Sequence, residues 1–123
     1  MNRHGPLSPH LRIYRLPLPA YLSIGHRITG VALTLSLPIL ALWLAVSAWF
    51  PEKLSAIAQF WRSPLGKIFL FLWTVALVYH FVHGIRHLLW DLFEVGFERK
   101  RLLRYAQWEI FAVLVLVVLM WSV

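Results

Sequence analysis

The sequence predicts an all-α integral membrane protein with three transmembrane helices. Two observations carry the membrane class. Of the 123 residues, 60% are hydrophobic and only 14% charged, whereas a soluble domain carries about 25% charged residues. The apolar residues also fall in runs of spanning length. The 24 residues from Ile28 to Pro51 contain no Asp, Glu, Lys or Arg, and neither do the 18 from Ile68 to Ile85. A third run follows Arg104 and reaches Val123, broken only by Glu109. A helix needs about 20 residues to cross the roughly 30 Å hydrocarbon layer. The runs lack the period-two alternation of a β-barrel. A soluble monomer, a disordered chain and a disulfide scaffold fit poorly.

The length suits a single domain, 1–123. Residues 1–19 form a polar, basic segment. Its prolines, Pro6, Pro9, Pro17 and Pro19, keep it out of a long helix. It does not read as a secretory signal or a mitochondrial transit peptide, because it is long, Pro-rich and leads straight into an apolar run. The first helix is expected at about 20–50, with a kink at Pro38, and Trp43, Trp49 and Phe50 at its far interface. Ser63-Pro64 reads as N-cap and first residue of a second helix, about 64–95. That helix is longer than the bilayer requires. Glu98, Arg99, Lys100, Arg101 and Arg104 make a charged loop, and a third helix follows at about 105–123.

Charge sets the orientation. Net charge is +7, and the basic residues lie between the apolar runs, so they read as topology signals rather than a nucleic-acid patch. Arg3, Arg12, Arg15 and Arg27 precede or open the first helix. Four more basic residues lie between the second and third, against Lys53, Arg62 and Lys67 in the first loop. The positive-inside rule then expects a cytoplasmic N-terminus and a periplasmic C-terminus. Absence of cysteine excludes disulfides, iron–sulfur ligation and thiol chemistry in this chain.

Ionisable groups inside a span are costly and mark functional sites. The second span holds His80, His83, Arg86, His87 and Asp91. At about 100° per residue, His80, Gly84, His87 and Asp91 share one face. Asp91 is expected at the cytoplasmic boundary, and His80 about 16 Å deeper, near the midplane. A neutral imidazole there suits a haem iron. Gly84, one turn on, leaves room for a flat ring system. The other reading is a hydrogen bond to a neighbouring helix. The first and third helices offer no second midplane His, so a bis-His haem is expected to take its other ligand from another chain. His83 lies off the stripe and reads as packing or hydrogen-bonding. His87, nearer the surface, can serve a haem propionate. In the first span Ser23, Arg27 and Gly30 share a face, with His26 and Thr29 beside them. Arg27 either snorkels to lipid phosphate or pairs with Asp91. With Ser23 these groups could bind a quinone headgroup.

The same residues carry a family resemblance. The run from Ser8 to Arg15, then Ser23-Ile24-Gly25-His26-Arg27-Ile28-Thr29-Gly30, resembles the opening of the cytochrome b membrane-anchor subunit of succinate dehydrogenase. His80 through Asp91 resembles its second motif, H-x-x-x-G-I-R-H-x-x-x-D. The resemblance covers nearly the whole chain. Gly25 stands where many relatives have a bulkier residue, and Gly5 replaces an arginine.

The resemblance implies a bacterial inner-membrane anchor of respiratory complex II, passing electrons from succinate to quinone and so linking the tricarboxylic acid cycle to the respiratory chain. It implies a second small anchor subunit, an iron–sulfur subunit and a flavoprotein where succinate is oxidised. It implies one haem b shared with the partner anchor: His80 as axial ligand, His26, Arg27 and His87 near the propionates, and Gly84 beside the ring. Ser23, Arg27 and Asp91 become quinone-site residues. Quinol:fumarate reductase is the rival within this class. A haem-free anchor, or a scaffold of another membrane complex, is the rival outside it.

Overall fold

The computed structural model describes residues 15–93 and 98–122. The basic N-terminal residues Arg3 and Arg12, and the part of the first motif before Arg15, lie outside the described residues, as does Val123. The order is α1 (Leu18–Trp49), a 3₁₀ turn (Pro51–Lys53), α2 (Leu54–Arg62), α3 (Pro64–Phe93) and α4 (Arg99–Trp121). Among the described residues three helices are long and apolar enough to cross a membrane, Leu18–Trp49, Pro64–Phe93 and Lys100–Trp121.

α1 starts where prolines permit it. Pro17 is extended, and Pro19 sits in the first turn, where a missing N–H costs nothing. The helix runs through Pro38 and ends at Trp49, just ahead of Phe50-Pro51. Its surface is apolar on every side and mostly exposed in the single chain, as suits a helix facing lipid and partner chains.

The short helix α2 was not anticipated from the sequence. It lies in the first loop between two helix-restricting prolines, Pro51 and Pro64. The residue before proline is driven to extended geometry, and Ser63 has φ −66° and ψ 158°. Ser63 also caps α3, its hydroxyl accepting from the Gly66 N–H at 3.1 Å. The chain folds back so tightly that a Cβ on residue 66 would overlap the Phe60 carbonyl oxygen and lie 2.7 Å from Trp61 Cα. Only glycine fits this corner.

α3 is the central element and packs against α1, α2 and α4. Val78 on α3 meets Val113 and Val117 on α4, with Val75, Tyr79 and Val82 closing around them. This apolar seam lies one to two turns from the polar cluster and fixes its depth.

Candidate functional site

The polar face of α3 meets the polar stretch of α1, and the join is specific at each turn. Tyr79 donates its hydroxyl proton to the Leu22 carbonyl at 2.5 Å. It can reach because residue 25 has no side chain: a Cβ there would lie 2.9 Å from the Tyr79 oxygen. The glycine at position 25 is thus matched to a tyrosine on the facing helix.

His80 lies one residue further along α3. Its Nδ1 is 3.1 Å from the His26 carbonyl oxygen and 3.4 Å from the Thr29 hydroxyl. A carbonyl can only accept, so Nδ1 carries the proton, and the lone pair of the neutral ring is on Nε2. The ring rests against α1 at Gly30, where a Cβ would lie 2.9 Å from His80 Cε1. Thr29 is held in turn by the Gly25 and His26 carbonyls, each at 3.0 Å.

His26 is the hub of an imidazole cluster. Its ring stacks on His80 with centroids 4.0 Å apart and planes 8° from parallel. It also meets His83 at 4.8 Å and His87 at 5.8 Å. Its Nε2 is buried without a hydrogen-bond partner. A Cβ on Gly84 would lie 3.6 Å from that nitrogen, so in this structure the open face of Gly84 looks onto His26. The predicted stripe of His80, Gly84 and His87 does converge, and it converges on His26.

Asp91 does not join it. Asp91 and Arg27 are both exposed, and among the described residues no ion pair links them. Ser23 is half-buried on the same helix as Arg27. Among the described residues neither Ser23 nor Arg27 spends its side chain on another protein group. Both are therefore free to meet something else.

The sequence reading missed one polar unit. His83 is fully buried, and its Nδ1 donates to Glu109 of α4 at 2.5 Å. Arg86 donates to the other oxygen of the same carboxylate. The Arg86 guanidinium also stacks over Trp90, 4.3 Å from the ring centroid. The rule that flags ionisable residues in spans applies equally to Glu109, the one acid in the third run.

The residues fit a haem. His80 presents an in-plane lone pair with its tautomer fixed, stacking by His26 occupies only the ring face, and the buried Nε2 of His26 lacks a partner. Among the described residues no group of three or more His, Cys, Asp or Glu could hold a bare metal ion.

Residues 1–120 match the succinate dehydrogenase/fumarate reductase transmembrane subunit family. The chain is 45% identical over 95 residues to the succinate dehydrogenase cytochrome b556 subunit of Rickettsia felis, covering 77% of this chain and 73% of that one. It is 44% identical over 92 residues to the subunit of the same name from Paracoccus denitrificans, covering 74% and 71%. The mitochondrial cytochrome b560 subunit of Mus musculus is 39% identical over 96 residues, covering 74% and 55%. With three apolar helices of spanning length and a family match over almost its full length, this multi-pass chain belongs to the succinate dehydrogenase/fumarate reductase transmembrane subunits, as a membrane anchor of the cytochrome b type.

Proposed function

We propose that this chain holds haem b through His80, jointly with a second small anchor subunit, and forms part of the site where quinone is reduced. The observation that carries this reading is the Nδ1–H bond from His80 to the His26 carbonyl. A histidine ligand is typically oriented by such a bond from its other nitrogen, which also raises its basicity. Bound there, haem b supplies a one-electron store close to the quinone site. His80 would be its ligand from this chain. His26 and His87 would offer N–H groups to the propionates, Arg27 a fixed positive charge, and Gly84 the space beside the ring.

Ser23 and Arg27 are one turn apart on α1, and among the described residues their side chains are uncommitted. A quinone tail lives in lipid, so its head must be met near a membrane edge. Reduction puts negative charge on the carbonyl oxygens. Arg27 remains protonated and stabilises that charge, and the Ser23 hydroxyl donates to one carbonyl. Asp91, eleven residues along α3 from His80, stands apart from this pair. Electrons would come from an iron–sulfur subunit served by a flavoprotein that oxidises succinate. By the positive-inside rule these dock on the cytoplasmic side of a bacterial inner membrane, where the N-terminus lies.

The absorption spectrum of the purified complex tests the reading. His80→Ala should abolish the low-spin bis-His haem spectrum while the subunits still copurify. An unchanged spectrum would remove His80 from the iron, and a complex without haem in the wild type would leave a structural anchor only.

A further inference from the structure

A cleft of about 450 Å³ runs between α3 and α4, lined by residues of those two helices. Its walls are Val82, Ile85, Leu89, Phe93 and Ala112. Its only charged groups, Arg86 and Glu109, are bonded to each other. Trp90, Tyr105 and Trp108 stand at one end, and such residues sit at the headgroup level of a bilayer. A second hollow of about 290 Å³ shares Tyr105 and Trp108 with the cleft and is completed by Arg101 and Arg104. The two hollows adjoin at Tyr105 and Trp108, which puts an apolar cleft beside two arginines of α4.

The chemistry narrows the occupant. The cleft is lined by apolar side chains, as an alkyl chain requires. A quinone also carries a long tail, but its head is neutral and gains nothing lasting from two guanidinium groups. Arg104 has no carboxylate partner among the described residues, and Arg101 has only Glu98 at 3.1 Å. That pair is exposed on both sides and worth little, so it yields to a stronger anion. Lys100 is also exposed nearby. Basic pockets between helices at a membrane interface recognise anionic lipid headgroups.

We propose that this feature binds one anionic phospholipid, an acyl chain in the α3–α4 cleft and the phosphate against Arg101 and Arg104. The site is separate from His80, His26, Ser23 and Arg27 and does not depend on haem or quinone binding. Arginines near an anionic headgroup each contribute about fivefold in affinity.

The test uses the whole complex in mild detergent, stripped of lipid and then supplied with phosphatidylglycerol or phosphatidylcholine, with retained lipid counted by native mass spectrometry. The wild type should retain one phosphatidylglycerol in preference to phosphatidylcholine. Arg101→Gln with Arg104→Gln should weaken retention about thirtyfold. Ala112→Phe, which fills the slot from α4, should remove it. The subunit stoichiometry in the same spectra reports assembly, and the arginine pair is exposed, so that variant keeps the question open to decision if Ala112→Phe fails to assemble. Equal retention of both lipids would overturn the proposal. So would wild-type retention in the arginine variant, or loss of a copurifying quinone or of the partner anchor, rather than phospholipid, from Ala112→Phe.

Discussion

Glu109 of α4 holds His83 of α3 by a 2.5 Å hydrogen bond, with both side chains almost wholly buried. Arg86 donates to the second oxygen of that carboxylate, so the positive and negative charges of the unit cancel. With Nδ1 committed to Glu109, the buried Nε2 of His83 has no hydrogen-bond partner among the described residues. The polar connection between α3 and α4 thus ends against the same His26 ring that stacks on His80.

Breaking this unit from one side should be costly. Glu109→Ala leaves Arg86 as a nearly buried charge without its partner, and such losses cost about 3–5 kcal/mol. Replacing the pair together, Glu109→Leu with Arg86→Met, removes both charges and should cost less than Glu109→Ala alone. Thermal unfolding of the purified complex checks the order. A double variant less stable than the single one would mean that the pair contributes more than charge neutralisation.

Gly25 and Tyr79 should behave as a coupled pair. Gly25→Leu forces the Tyr79 ring away, because the first added atom would already lie 2.9 Å from its oxygen, and the bond to the Leu22 carbonyl is then lost. Overpacking of this kind costs about 1–3 kcal/mol. With Tyr79→Ala in place, the same leucine should be tolerated. A double-mutant cycle on complex stability should give an interaction of about 1–2 kcal/mol, and additive effects would refute the contact.

Gly30→Ala tests the seat of His80. The added methyl would lie 2.9 Å from His80 Cε1, so the ring must turn or the helices part. The variant should assemble with a lowered haem content or a shifted low-spin spectrum. Full haem with an unaltered spectrum would argue that the position of this imidazole does not matter to the iron.

Ser23→Ala and Arg27→Leu should lower quinone reductase turnover, Arg27→Leu more strongly, since loss of a donor to developing negative charge costs about 10²–10³ in rate where that donor is essential. Succinate oxidation with an artificial dye acceptor should survive in both. A parallel fall in both activities would assign the residues to assembly, and no fall in either would place the quinone elsewhere.

Orientation has its own check. A C-terminal alkaline phosphatase fusion should be active, and a C-terminal green fluorescent protein fusion dark. The opposite pattern would reverse the membrane orientation and with it the side on which the dehydrogenase subunits dock.

Composition and run length were enough to determine the membrane class and the three spanning helices, because a bilayer leaves the backbone of an apolar 20-residue segment little choice but a helix. Helical periodicity also put His80, Gly84 and His87 on one face, since side-chain direction within a helix follows from residue spacing alone. What that face meets was not legible. The tertiary structure turned it toward His26, seated His80 against Gly30 and the His26 carbonyl, and left Asp91 outside the cluster. It also joined His83 and Arg86 to Glu109 across 23 and more residues, and explained the small residue at position 25 by Tyr79, 54 positions later. These are contacts between helices. They depend on the rotation and depth at which two apolar cylinders pack, and within lipid that is decided by side-chain fit and hydrogen bonds rather than by a hydrophobic pattern that is nearly uniform around each helix.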